Sequence, residues 1–235
     1  MRLAKFLILI IVVSCFAFSA YGQKTIAPRN EVSQDPTLSA FVTTLQSAIE
    51  KKDAKWIYSV LDKDVVSTYG DEPTLDVFKT YWDIENDSTN FWAFLKRAVN
   101  MGGVFLHDTA DHTGKYEFVF PYAYDIDMEM DDDYYMLGAI TGKNVNLRSG
   151  PNQKADVITQ LTYNVISYIY DDADEKWEVP MNANGEPQWF HITTYDKKYT
   201  GWVNWQYVYS PMRPRLFLFK NDKGIWYISA FVAGD

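Results

Sequence analysis

Val145-Asn146-Leu147-Arg148-Ser149-Gly150-Pro151 reads as a strand that stops abruptly. Val145 and Leu147 alternate with polar neighbours, as in a half-buried strand, and Ser149-Gly150-Pro151 then supplies turn conformations and removes a ladder donor. Outward from this stretch, residues 156–161, 165–170, 189–194 and 200–204 are short runs rich in β-branched or aromatic residues, separated by turn-prone segments. Short strands at this spacing predict a small barrel or sandwich. Gly201-Trp202-Val203 and Trp205-Gln206-Tyr207-Val208 close the run.

A V-N-x-R-x-G-P opening, strands, and a G-W-V ending before a short helical turn, in that order, resemble the bacterial SH3-type (SH3b) domain. The resemblance covers residues 141–208, under a third of the chain. It implies an SH3-like barrel over 136–209. It also implies a binding role, since such barrels in related bacterial proteins target peptidoglycan peptides or other envelope components.

The chain starts as an exported protein does. Arg2 and Lys5 precede an apolar run, and Ala20-Tyr21-Gly22 places small residues at the −3 and −1 positions before Gln23, so residues 1–22 are expected to be a signal peptide cleaved after Gly22. A membrane-spanning helix fits less well, because the apolar stretch is short and Ser14, Ser19 and Gly22 interrupt it. Val12-Val13-Ser14-Cys15 also fits a loose lipobox, in which Cys15 becomes a lipid-bearing first residue, although residues 16–21 stay apolar where lipoproteins turn polar. Either route predicts a periplasmic or extracellular location, with no membrane insertion of the mature chain. Cys15 is the single cysteine, so a mature chain lacking it has no thiol for a disulfide, a metal or a nucleophile. The net charge is −9, and losing Arg2 and Lys5 makes it more negative still. That balance argues against nucleic acid and anionic membranes as partners, which need a basic face.

Residues 23–34 are polar with one proline and are expected to be a flexible lead-in. Asp35-Pro36 then predicts a capped helix in which Leu38, Phe41, Val42, Leu45, Ala48 and Ile49 recur at helical spacing. Asp53 caps a second, with Trp56, Ile57, Val60 and Leu61 as its buried stripe, and residues 65–70 form a short strand ended by Gly70. Two further helices are expected over 75–82 and 91–100, the latter stopped by Gly102-Gly103. Phe78, Tyr81, Trp82, Phe91, Trp92 and Phe94 have the look of a carbohydrate platform, but their helical spacing favours core packing. From Val104 the period becomes two, which predicts sheet over 104–106, 116–120 and Tyr122-Ala123-Tyr124, continuing through Ile126, Met128 and Met130.

Residues 216–220 and 225–231 flank Asn221-Asp222-Lys223-Gly224, a hairpin signal with its turn glycine. A hairpin alone is marginal in water, so it must join a sheet, and the partner outside the barrel is the sheet beginning at Val104. The expected fold is therefore α+β: helices plus antiparallel sheet over 35–135 and 210–235, with the all-β SH3-like barrel of 136–209 inserted between them. Helices followed by a sheet ending in Trp226-Tyr227-Ile228 also resemble a cystatin-type roll. The Phe91-Trp92-x-x-Leu95 helix, Gly102-Gly103, Pro121-Tyr122 and the terminal Ala233-Gly234-Asp235 make the whole similar to secreted bacterial SH3-domain proteins, which implies an envelope location and carries no activity.

Two constellations bear on chemistry. His107-Asp108-Thr109-Ala110-Asp111-His112 gathers imidazoles and carboxylates, the donor types of a zinc site, yet a solvated hairpin loop accounts for them without a converging ligand from elsewhere. Asp125, Asp127, Glu129, Asp131, Asp132 and Asp133 offer hard oxygen ligands for calcium, but they lack the glycine turn and final glutamate of an EF-hand and fit a solvated strand face. No P-loop, GxGxxG, nucleophile elbow or HExxH is present. The expectation is a non-enzymatic binding protein without a metal or other cofactor, whose partner is peptidoglycan or an envelope protein. A protein–protein inhibitor or assembly factor is the alternative, and an enzyme using His107, Asp111 and His112 comes third. Small barrels fill their interiors with side chains, so the ligand is expected on the outside, at Arg148, Trp177, His191, Trp205 and Tyr207. The acids of Asp171, Asp172, Asp174 and Glu175 beside Trp177 would give that wall an acidic rim suited to a cationic ligand.

Overall fold

The computed structural model describes residues 23–106, 117–126, 134–170, 179–181 and 187–234. Helices α1 (Pro36–Lys51) and α2 (Ala54–Ser59) come first, then β1 (Leu61–Val66), α3 (Leu75–Trp82), α4 (Phe91–Asn100), β2 (Val104–Phe105) and β3 (Phe118–Phe120). Seven short strands follow: β4 (Leu137–Ile140), β5 (Val145–Arg148), β6 (Val157–Leu161), β7 (Val165–Tyr168), β8 (Trp189–Thr194), β9 (Thr200–Asn204) and β10 (Val208–Tyr209). The hairpin β11 (Arg215–Lys220) and β12 (Trp226–Val232) ends the chain.

Two sheets result. The first has the order β1-β12-β11-β3-β2 and the second β10-β4-β7-β8-β9-β5-β6. The first therefore draws strands from both sides of the segment that forms the second. The terminal hairpin lies against β3, with Phe217 opposite Val119, and its turn closes as the sequence predicts: Ile225 O accepts from Asn221 N, and Gly224 takes the positive φ of +76° that this turn requires.

The helices cover one face of the first sheet. Leu38, Val42, Leu45 and Ile49 of α1 and Phe91, Leu95 and Val99 of α4 meet Leu216, Leu218, Ile228 and Phe231 of the hairpin in one core. Both predicted caps are present, since the Asp35 carboxylate accepts from Thr37 N and Leu38 N, and that of Asp53 from Trp56 N. Its opposite face packs on the second sheet: Val119, Phe217, Ala230 and Val232 share a core with Leu137, Ala139, Val165 and Tyr209. Strand β4 is consequently buried on both sides, Leu137 and Ala139 toward this junction and Ile140 into the second sheet's own core. That third core takes Val145, Leu147, Leu161, Ile166, Ile192, Val203 and Val208, so every strand of the second sheet feeds one interior and the sheet curls around it.

Several local expectations change. Val60 and Leu61 leave the helix: α2 stops at Ser59, because Ile228 N bonds to Val60 O and Leu61 pairs with Ile228, starting β1 earlier than residue 65. Strand β1 runs parallel to β12, a departure from a purely antiparallel roll. Tyr122-Ala123-Tyr124 is not sheet but part of a 3₁₀ turn, Tyr122–Asp125, in which Tyr124 N donates to Pro121 O. Tyr122 and Ala123 are consecutive and both buried in the junction, which the alternation of a one-sided strand forbids. Burial pushes the Tyr122 phenol up to about 12. The lead-in is bonded to the second sheet: Val165 N donates to Lys24 O and Ile26 N to Tyr163 O, each at 2.8 Å. Met128, Met130 and residues 1–22, the expected signal peptide, lie outside the described residues.

Candidate functional site

The outward face of β5, β9 and β8 carries the candidate site. In β5, Val145 and Leu147 point into the core, so the strand's period of two turns Asn146 and Arg148 outward. Arg148 stands opposite Trp202, and Trp202 opposite His191, so these three form one row across the strands. In the same register Asn204 stands opposite Trp189, two residues along.

Gly201 is what lets β9 come this close. A Cβ there would lie 2.5 Å from Arg148 O, a separation that side chains do not tolerate, so the glycine of the G-W-V motif is required for β5 and β9 to pair.

A groove of about 360 Å³ opens on this face. Lys143, Asn146, Arg148, Asn204, Gln206 and Tyr207 border it, with Asn144, Val145, Gln153 and Trp189 completing the wall. Arg148, Asn146 and Asn204 are fixed by neighbours through their side chains. Arg148 Nη1 donates to Ala155 O at 2.8 Å, and Gln160 Nε2 to Asn146 Oδ1 at 3.0 Å. Asn204 Oδ1 accepts from Gln206 N, opening the one-turn 3₁₀ helix Trp205–Tyr207 that presents Gln206 and Tyr207. Thr141 N holds Tyr207 O at 2.9 Å.

Of the residues expected to bind ligand, Arg148 and Tyr207 line the groove together, and the Tyr207 side chain is 46% exposed. His191 is half-buried and stacks on Trp202, ring centroids 4.8 Å apart and planes 10° from parallel, which places it on the same face but outside the groove. Trp205 turns away from the groove, its ring under the Arg97 guanidinium of α4 at 4.6 Å. Trp177 lies outside the described residues, as do Asp171, Asp172, Asp174 and Glu175. The sequence reading missed Asn146, Trp189 and Asn204, although the same period of two that marked Arg148 and His191 puts Asn146 and Trp189 on their face.

The lining has a definite chemistry. Its cations are Lys143 and Arg148, its amides Asn144, Asn146, Gln153, Asn204 and Gln206, its aromatics Trp189 and Tyr207, and its aliphatic residue Val145. Among the described lining residues there is no carboxylate, so the groove carries the opposite sign to the whole chain, and to the acidic rim expected from residues 171–175. Amides and a guanidinium recognise carboxylates and peptide groups by hydrogen bonding. Among the described residues no nucleophile stands beside a base in the groove, and no group of three or more His, Cys, Asp or Glu side chains gathers as for a metal. The histidines His107 and His112 with Asp108 and Asp111 lie outside the described residues, and so do Asp127, Glu129, Asp131, Asp132 and Asp133. Asp125 is described and pairs with Arg29.

Comparison with known proteins addresses the same segment. Residues 143–209 match the bacterial SH3 domain. The match starts at Lys143 on the groove's rim and ends at Tyr209 in β10, so most of the second sheet, with every described residue lining the groove, belongs to the SH3 domain. No curated protein and no solved structure matched the chain. Among the described residues no helix is long and apolar enough to cross a membrane.

Proposed function

We propose that the protein is an exported, non-enzymatic binder of the bacterial cell envelope, and that its SH3 domain takes a carboxylate-bearing peptide, the stem peptide of peptidoglycan foremost, in the groove between Arg148 and Tyr207. The observation that carries this reading is the lining itself: two cations, five amides and two aromatic rings beside Val145, with no carboxylate among the described residues. Such a surface pairs with carboxylates and follows a peptide backbone without doing chemistry on it. Export is supported by the leader pattern of residues 1–22. That the five-stranded sheet takes strands from both sides of residues 136–209 supports reading the SH3 domain as an insertion into an α+β domain.

A partner protein is favoured by a separate feature. Strand β6 ends its sheet with Val157 and Ile158 exposed, an edge to which another strand can add. Sedimentation of the chain 23–235 with insoluble peptidoglycan separates the two readings. Co-sedimentation of the wild type, reduced at least tenfold in Arg148→Ala, is expected. A wild type that stays in the supernatant while remaining bound to envelope proteins would overturn the peptidoglycan reading.

A further inference from the structure

The wall of the groove that carries Gln206 and Tyr207 is held from outside the SH3 domain. Arg97 lies on α4, in the helical layer of the first sheet, far in sequence from the match at 143–209. Its Nη2 donates to Trp205 O and to Val208 O, each at 3.0 Å. Those two carbonyls flank Gln206 and Tyr207, so one guanidinium grips both ends of the turn that presents them. The grip is reinforced by stacking, because the guanidinium carbon stands 4.6 Å from the Trp205 ring centre and 5.2 Å from that of Tyr209. Trp205 O already accepts from Val208 N within the turn, so Arg97 adds to an existing cap and does not replace it.

An ammonium could reach both carbonyls from one nitrogen, but only the planar guanidinium also offers a flat face to the Trp205 and Tyr209 rings while its donors stay in fixed directions. We propose that Arg97 is a positioning residue for the groove: it sets the conformation of the 205–208 turn and thereby the affinity of the SH3 domain for its ligand, making the α+β layer part of the binding site without touching the ligand. This rests on the groove being the binding site. It also gives Trp205 a role, as the platform that Arg97 clamps, in place of the ligand contact expected from the sequence.

The test uses the chain 23–235, a soluble peptidoglycan stem peptide as probe, and the variants Arg97→Ala and Arg97→Lys, with amide hydrogen exchange at Gln206 and Val208 recorded beside binding. Arg97→Ala is expected to weaken binding at least tenfold and to speed exchange at Gln206 and Val208 while amides of β8 keep their protection, and Arg97→Lys should recover part of both. Binding within twofold of wild type in both variants, with unchanged exchange at Gln206 and Val208, would overturn the proposal. Should Arg97→Ala fail to fold, Arg97→Met, which keeps an unbranched chain and loses the donors, decides by the same two readouts. A wild type that does not bind the peptide would defeat the groove as binding site, and the exchange readout would still decide whether Arg97 holds the turn.

Discussion

Aromatic side chains serve opposite ends in the two sheets. On the helical face of the first, Trp82, Phe91 and Phe231 interlock with ring centroids 4.7 to 5.6 Å apart, and the indole N–H groups of Trp82 and Trp92 are satisfied internally by Phe231 O and Ile84 O. On the outer face of the second, Trp189 and Tyr207 stand among amides and cations at an open groove. The difference shows that aromatic abundance does not mark a binding surface. Placement separates the two sets: helical period sends Trp82 and Phe91 into a core, whereas the strand position of Trp189 and the turn that holds Tyr207 leave those rings beside polar groups.

If that contrast is right, the largest loss of stability comes from the first region. Phe231→Ala removes a ring packed on Trp82 and Phe91 and is expected to cost about 3–5 kcal/mol, a large share of an ordinary domain's margin, read as a fall in the denaturant midpoint. A cost below about 1 kcal/mol would break the comparison, since the interlocked rings would then not be what stabilises the layer.

Gly201→Ala probes the second region's construction. The added methyl meets Arg148 O, so β9 must move from β5, at an expected cost of about 1–3 kcal/mol and with loss of groove binding. Unaltered thermal unfolding together with unaltered binding would contradict the close approach.

The two regions also differ in how legible they were. The Val145–Pro151 stretch and the Gly201-Trp202-Val203 ending are local signals, and they located strands and turn because the alternation that builds those strands lies in neighbouring residues. Caps at Asp35 and Asp53 and the turn at Asn221–Gly224 were legible for the same reason. What stayed hidden was long-range. The pairing of Leu61 with Ile228 overrides a helical stripe that looked continuous, and nothing near Leu61 announces it. Tyr122 and Ala123 read as alternating strand until the junction buries both. Trp205 looked like a ligand contact because its partner, Arg97, lies over 100 residues away and gives no local sign.

A smaller effect sharpens the first region. The Lys220 ammonium, 2.7 Å from Asp35, and then the Thr37 hydrogen bonds hold the Asp35 carboxyl well below the usual carboxylate range. A carboxyl lowered in the folded state contributes stability that is present above its unfolded value of about 4 and lost as pH falls through the lowered one. Asp35→Asn keeps a capping oxygen and removes the titration, so the variant's stability should be less dependent on pH below about 4, while Asp35→Ala should cost about 1 kcal/mol at neutral pH. Equal acid sensitivity in wild type and Asp35→Asn would count against the tie between α1 and β11.

The smallest stability change belongs to the groove. Tyr207→Ala, at a half-exposed ring, should shift stability by no more than about 0.5 kcal/mol while reducing binding at least tenfold. A large loss of stability would mean that Tyr207 belongs with the core rings.

Titration of the isotope-labelled chain 23–235 with a soluble peptidoglycan stem peptide, followed by amide and indole chemical shifts, tests the groove most directly. Saturable shifts centred on Asn146, Arg148, Trp189, Gln206 and Tyr207, with the helical layer unmoved apart from the vicinity of Arg97, are the result expected. Saturable shifts confined to another surface, or none at millimolar peptide, would contradict the groove as the binding site.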